Sequence, residues 1–147
     1  MHVIHHQKRS NPTIARSFHR KQKFESKAAV LVAIAIPVFT TQLEKSKEST
    51  DMANLRSAYA AGAVAALTQQ VGADTLNEST TYYYNPSADG SLSTAGATLG
   101  QGTQTDGKAD TSSLPGLCHY STTQSVKGNK IQVSFGSGSL SSVDFVA

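Results

Sequence analysis

Cysteine, tryptophan and proline are scarce in this chain of 147 residues, which has one cysteine, no tryptophan and four prolines. Because Cys118 is the only cysteine, an internal disulfide is impossible and a disulfide-stapled scaffold is excluded. Charged residues make up 16% of the chain and apolar residues 38%, so the composition is not that of a highly charged disordered protein. The length and composition together predict one small domain.

Sequence signatures of catalysis and of metal or cofactor binding are also missing. The chain contains no GxSxG, HExxH, CxxC or phosphate-loop motif. Asp106 and Asp110 lack the alternating acidic ligands and the final glutamate of a calcium loop. His119 beside Cys118 does not by itself activate the thiol, which favours a structural cysteine. We therefore predict no catalytic residues, no metal and no cofactor, and a protein that is not an enzyme.

Acidic residues are nearly absent from residues 1–27, which contain seven lysines and arginines and one acidic residue, Glu25. This segment carries a net charge of 7 − 1 = +6, whereas the remaining residues have six basic and nine acidic groups, or −3. It has neither helical nor strand periodicity, so we predict a disordered basic segment. Such a segment can bind nucleic acid or an anionic membrane surface, although no recognisable nucleic-acid-binding module accompanies it.

A long hydrophobic run occurs at one place, residues 28–39. It is shorter than the roughly 20 apolar residues that a membrane-spanning helix needs. The residues that follow, as far as 71, are rich in helix-forming Ala, Leu, Glu, Lys and Gln. We therefore predict one long helix over residues 28–71 that is apolar at first and amphipathic later.

The amphipathic part of this helix has apolar residues at helical spacing, which predicts one face that packs against a sheet. The residues predicted to make this helix–sheet packing are Leu55, Tyr59, Ala63, Val64 and Leu67. Before that face lies a charged belt, for which we predict a solvated or partner-facing surface; it consists of Glu44, Lys45, Lys47, Glu48 and Asp51.

Residues 72–147 have the patterns of an antiparallel sheet. Tyrosine-rich residues 80–84 and residues 91–94 enclose two turn signals and predict a hairpin, and a weak strand pattern covers 117–126. Ile131, Val133 and Phe135 alternate with polar residues, and a glycine-rich turn and a closing strand follow them. Residues 96–114 contain few apolar side chains, which predicts an exposed, variable loop. The predicted fold class is α+β, with a long N-terminal helix packed on a small antiparallel sheet.

The string LVAIAIPVFTTQLEKSKESTDMANLRSA, residues 31–58, resembles the N-terminal helix of type IV pilins, particularly those of Gram-positive bacteria. The resemblance consists of an apolar run, a proline, and then a stretch rich in Lys, Glu and Ser. It implies a pilin-like fold and a structural subunit of a type IV pilus-like surface filament, with adhesion, motility or DNA uptake as its uses. The residues implied to form the filament core and membrane helix are Val30, Leu31, Val32, Ile34, Ile36, Pro37 and Phe39.

The same resemblance implies the partners and the location of the protein. The partners are other pilin subunits in a homo-oligomeric filament, the pilus assembly machinery, and the membrane before assembly. The location is the bacterial cell membrane and then an extracellular pilus or the cell surface. A pseudopilin of a type II secretion or competence system has the same helix and is the alternative within this fold. An alternative of another class is a soluble module that binds nucleic acid or a membrane surface through residues 1–27.

Upstream of residue 28 the sequence departs from the family. When the sequence is aligned to the family motif at Pro37, Ala15 occupies the position of the glycine before the cleavage site. Arg16 occupies the position of the methylated phenylalanine, and Arg20 that of the glutamate. A single Lys or Arg at mid-membrane costs about 2.5–3.5 kcal/mol, and several stand in this stretch. We predict that residues 1–28 arise from a frameshift, a misassigned start or a fusion scar, or mark a natural unprocessed variant. A chain with this start is expected to be mis-targeted and assembly-defective.

Overall fold

Helix α1, which covers residues 40–68, is followed by a small sheet in the computed structural model, which describes residues 40–104 and 109–147. The strands are β1 Gln70–Val71, β2 Asp74–Thr75, β3 Tyr82–Tyr84, β4 Leu92–Ser93, β5 Cys118–His119, β6 Lys130–Gly136 and β7 Ser139–Val146. The described chain is therefore α+β. The basic segment 1–27 and every predicted filament-core residue from Val30 to Phe39 lie outside the described residues.

Helix α1 ends at residue 68, before the predicted end near residue 71. Gln69 has a positive φ of 55°, which stops the helix, and β1 then pairs with β2 in antiparallel register. Gly72, predicted as a helix cap, instead opens the two-residue turn between these strands with φ 60°. A turn of this length needs a positive φ, which glycine adopts without steric cost.

The larger sheet has the strand order β4-β3-β6-β7-β5. Strand β3 pairs antiparallel with β4 and β6, and β6 pairs antiparallel with β7. Strand β5 is parallel to β7, with Cys118 opposite Val143 and His119 opposite Asp144. The prediction of a wholly antiparallel sheet is therefore wrong, because the long connection before β5 lets that strand enter the sheet in the parallel direction.

The predicted alternation along β6 is confirmed, since Ile131, Val133 and Phe135 are buried and the residues between them are not. The turn to β7 consists of Ser137 with φ 54° and Gly138 with φ 76°. Two positive φ values in a two-residue turn match the right-handed twist of the strands it joins. A bulge follows, because Phe135 pairs with Leu140 whereas Ser134 pairs with Ser142.

The core lies between α1 and the sheet. Its fully buried members include Leu55 and Ala58 from the helix and Ile131 and Val143 from the sheet. Gly62 lets the helix approach closely, because a Cβ there would lie 2.7 Å from the Leu140 Cδ1 atom. Glycine in a helix costs about 1 kcal/mol relative to alanine, and the close approach offsets that cost.

The predicted helix–sheet packing residues need a correction. Leu55 is fully buried, Tyr59 packs against the core while partly exposed, and Ala63 is half-buried. Val64 and Leu67 are 59% and 87% exposed, so they do not contribute to this packing. The prediction placed the apolar face too far around the helix, because it followed the largest side chains rather than the small ones that the sheet contacts.

Candidate functional site

Two opposite faces of α1 define the candidate site. Positions on each face alternate spacings of three and four residues, which keeps them in line on a helix of 3.6 residues per turn. A line of buried positions forms the inner face: Glu44, Glu48, Asp51, Leu55, Ala58, Gly62 and Ala65, with the buried Met52 beside it. A line of exposed positions forms the outer face: Leu43, Ser46, Thr50, Ala53, Ser57, Ala60, Val64 and Leu67, with the exposed Lys45 and Arg56 beside it.

The inner face begins with three carboxylates that are almost entirely buried. Glu44 is 5% exposed, Glu48 3% and Asp51 0%. The prediction that these residues belong to a solvated or partner-facing belt is therefore wrong. Burying a carboxylate is costly unless hydrogen bonds compensate for the lost water, so the partners of these groups determine the local structure.

Asp51 receives three hydrogen bonds. The backbone N–H of Gln101 donates to Oδ1 at 2.8 Å, and that of Gly102 donates to Oδ2 at 2.7 Å. The hydroxyl of Tyr120 also donates to Oδ2, at 2.8 Å. Both carboxylate oxygens are thus satisfied by donors from two different segments of the chain, which fixes α1 against both.

Glu44 holds the next two residues of the same segment. Its Oε1 atom accepts the N–H of Thr103 at 2.5 Å and the N–H of Gln104 at 2.9 Å. The ammonium group of Lys47 lies 3.8 Å from Oε2. Four consecutive backbone amides, those of residues 101–104, therefore point at two carboxylates that lie two helical turns apart.

Residues 99–104 also form backbone hydrogen bonds with residues 126–129, on the side away from α1. Backbone amides of Leu99 and Gly100 donate to the Asn129 carbonyl at 2.9 and 3.0 Å. In return, Val126 donates to the Gly102 carbonyl at 3.0 Å, and Gly128 donates to that of Gly100 at 2.9 Å. We call residues 99–104 the strap, because they are bonded to α1 on one side and to residues 126–129 on the other. This part of the predicted exposed loop is therefore held by hydrogen bonds on both sides, and Gly100, Gly102 and Gln104 within it are buried.

Two glycines make the strap possible. A Cβ at position 100 would lie 1.8 Å from the Val126 carbonyl oxygen, which is a severe clash with backbone. A Cβ at position 102 would lie 2.4 Å from the Tyr120 hydroxyl oxygen and 2.9 Å from Oδ2 of Asp51. The Gly-Gln-Gly sequence thus permits a close approach that no larger residue allows at either position.

Burial and hydrogen bonding act in opposite directions on the carboxylates. Burial raises the pKa of Asp51 above its ordinary value, and the three hydrogen bonds offset this only in part. Burial also acts to raise the pKa of Glu44, but the amide hydrogen bonds and then the Lys47 charge outweigh it and lower that pKa. Burial, followed by the Asp51 carboxylate, raises the pKa of Tyr120 well above its usual range. Tyr120 therefore remains a hydrogen-bond donor at all physiological pH values.

The outer face has a different character, because none of its eight members is charged and all of them are exposed. It extends from Leu43 to Leu67, about 36 Å at a rise of 1.5 Å per residue. Two of its three hydroxyls bond within the helix: Thr50 donates to the Ser46 carbonyl and Ser57 to the Ala53 carbonyl, both at 3.0 Å. These donors are already satisfied, so burying them against another surface leaves no orphaned hydroxyl hydrogen.

The polar side chains of β5 make two separate contacts. Nδ1 of His119 lies 2.5 Å from Oδ1 of Asp144, which joins the parallel strands β5 and β7. The Cys118 thiol points inward to the Leu55 carbonyl at 3.7 Å, and burial raises its pKa. No group of three or more metal-ligating side chains occurs in residues 40–104 and 109–147, and Asp106 lies outside them.

Comparisons with known proteins yield no relative. No family model matches the chain, and no curated protein or solved structure is significantly similar to it. Within the part of the chain that the structure describes, no helix is both long and apolar enough to cross a membrane.

The sequence contains a signal for the buried carboxylates that the prediction of a charged belt did not use. Glu44, Glu48 and Asp51 are in phase with Leu55 and the small residues after it, at spacings of four and three. Acidic residues in register with a buried stripe predict a buried polar contact rather than a solvated belt. The segment that binds these carboxylates, residues 101–104, has no such signal in the sequence. It binds through backbone amides, which every sequence has.

Proposed function

We propose that this chain is a structural subunit of a type IV pilus-like surface filament, and that it assembles through α1. The observation that carries the proposal is the outer face of α1, which is exposed and uncharged from Leu43 to Leu67. An ordinary helix on a protein surface places charged side chains on the side opposite its core. Here Glu44 and Asp51 bond to the strap, the exposed Lys45 and Arg56 lie beside the outer face, and the outer face itself is left suitable for packing.

The composition of the outer face fits contact with another helix. Its middle consists of the small residues Ala53, Ser57 and Ala60, which allow two helix backbones to approach closely. Its end carries two large apolar side chains, and fully burying one of them contributes about 1.5–3 kcal/mol. Residues 28–39 precede α1 in the sequence, and the resemblance of residues 31–58 to the type IV pilin helix supports the same role.

The arrangement of the domain supports propagation into a filament. The sheet packs on the inner face of α1, so it does not cover the outer face. A subunit with a helix on one side and a sheet on the other can make heterologous contacts, which repeat without closing and so build a helical polymer. In this proposal the function is assembly, and no chemical step is required of the subunit.

The test is recovery of the protein from surface filaments of the source cells. Filaments are sheared from the cells and digested, and peptides from residues 40–147 are sought by mass spectrometry. We expect these peptides as a major component of a long filament, whereas scarce recovery from a short envelope structure would indicate a pseudopilin. Filaments that contain no such peptide would overturn the proposal.

A charge on the outer face tests the assembly surface itself. Val64→Arg introduces a cation where the side chain is 59% exposed, so the domain should keep its stability. Gln124→Arg adds the same charge at an exposed site in the connection between β5 and β6 and serves as the control. When both variants are expressed from a gene whose start encodes the prepilin motif, we expect filaments from the control but not from Val64→Arg. Normal filaments from both variants would show that the outer face is not the assembly surface.

A further inference from the structure

The chemistry that holds α1 to the rest of the domain changes abruptly along its length. Among residues 40–51, the only buried ones are Glu44, Glu48 and Asp51. From Met52 onward, every buried helix position is apolar or glycine. The first half of the described helix is thus docked through carboxylates, and the second half through hydrophobic packing.

We infer that Glu44 and Asp51 form a releasable latch, which can open and separate residues 101–104 from the first three turns of α1, while the strap stays bonded to residues 126–129 and the rest of the domain stays folded. The latch comprises these two carboxylates and the backbone amides of residues 101–104. It is a conformational device in the fold, and it does not depend on the filament proposal.

The geometry separates the latch from the hydrophobic core. The four amides of residues 101–104 bond to side chains of α1 and to no strand of the sheet. The core side chains Leu55, Ile131, Val133 and Val143 are fully buried, and the hydrophobic cluster to which they belong contains no residue of 40–51. Opening the latch therefore breaks polar contacts at one end of α1 and leaves the hydrophobic packing at the other end in place.

The latch is also specific for main chain rather than for side chains. Asp51 and Glu44 accept N–H groups, and Gly100 and Gly102 provide the close approach without adding side chains. Two further groups belong to the surroundings of the latch: Lys47 beside Glu44 and the Tyr120 hydroxyl on Asp51. Because the four amide bonds of residues 101–104 share two carboxylates, losing one carboxylate should also weaken the bonds to the other.

Hydrogen exchange on the full chain tests the inference. In the unaltered protein we expect the amides of residues 101–104 to exchange at least about tenfold faster than those of β6 and β7. Asp51→Asn should accelerate exchange of the strap and of residues 44–51 by a further tenfold or more, with β6 and β7 unchanged. Asp110→Asn is the matched control, because its carboxylate is exposed and lies outside the latch.

Two results would overturn the latch. One is exchange of the strap at the same rate as β6 and β7 in the unaltered protein, which would mean that the strap opens only when the whole domain unfolds. The other is an equal acceleration of strap and sheet amides in Asp51→Asn, which would mark a merely structural residue. If Asp51→Asn does not fold, Glu44→Gln and the unaltered protein provide the same comparison.

Discussion

The hydroxyl of Tyr120 donates a 2.8 Å hydrogen bond to Oδ2 of Asp51, a carboxylate with no exposed surface. The bond joins the first half of α1 to the segment that follows β5. The other two hydrogen bonds to Asp51 come from the backbone amides of Gln101 and Gly102, so Tyr120 is its side-chain donor. The predictions below begin with this pair.

Replacing Tyr120 by phenylalanine removes the donor and keeps the ring. Asp51 then loses one of three hydrogen bonds while it stays buried, so the free energy of unfolding should fall by about 1–3 kcal/mol. Urea denaturation measures the change. Tyr83→Phe is the control, because Tyr83 lies beneath the Lys130 ammonium group and away from the latch. Equal effects of the two substitutions would contradict the role of the Tyr120 hydroxyl.

The two latch carboxylates should affect the pH dependence of stability in opposite directions. The lowered pKa of Glu44 means that its stabilisation is present above its ordinary value of 4.5 and is lost as the pH falls. The raised pKa of Asp51 means that its stabilisation is present below its ordinary value of 3.8 and is lost as the pH rises. Glu44→Gln should therefore cost most at neutral pH, and Asp51→Asn most in acid.

Thermal unfolding of both variants and the unaltered chain between pH 3 and 7 provides the measurement. The informative quantity is the difference between each variant and the unaltered chain at every pH, since other carboxylates titrate in all three proteins. Parallel curves for the two variants would contradict the opposite directions of these pKa shifts.

Alanine at position 100 should destabilise the domain. The new Cβ would meet the Val126 carbonyl oxygen, and the strap would have to move away from residues 126–129. Overpacking of this kind costs about 1–3 kcal/mol and more where backbone must shift. Gly116→Ala is the matched control, because no atom lies within 4 Å of a Cβ there. The control should be neutral or slightly stabilising in the same denaturant titration.

Leucines on the two faces of α1 should respond differently to truncation. Leu55→Ala empties a fully buried site and should cost about 2–5 kcal/mol. Leu67→Ala shortens a side chain that is 87% exposed and should change the stability of the isolated subunit by about 0.5 kcal/mol or less. Chemical denaturation of the two variants compares these values, and a large cost at Leu67 would show that the outer face is covered within the subunit.

The gene provides a test of the start of the chain. We expect a neighbouring reading frame upstream of the Ala28 codon to encode a Gly-Phe-Thr-Leu-x-Glu prepilin motif and an apolar run that joins at Leu31. Resequencing that DNA and translating all three frames decides the matter. If no frame encodes the motif, the basic residues 1–27 are native and binding through them becomes the function to test.

Sequence reasoning predicted the elements that local patterns encode. The alternation of Ile131, Val133 and Phe135 predicted β6, and the turn signals after Tyr84 predicted the β3–β4 hairpin. Such patterns suffice because side chains on a strand alternate between two environments. The helix was also predicted, although its inner face was placed on large residues rather than on Ala58, Gly62 and Ala65.

The strap and the parallel strand β5 could not be predicted in the same way. Residues 99–104 are ordered by their backbone amides, which every sequence possesses, and their position depends on carboxylates some fifty residues away. Their low apolar content therefore suggested a solvated loop. Strand β5 has only two residues, Cys118–His119, and its direction depends on the path of the connection before it rather than on any pattern within it.

The place of β7 in the sheet has a consequence for the order in which the chain can fold. Strand β7 lies between β6 and β5, so Cys118–His119 has no strand to pair with until residues 139–146 have been synthesised. The pairing of β5 therefore depends on a strand that follows it by some twenty residues, so this contact of the middle of the chain forms only after β7 has been made.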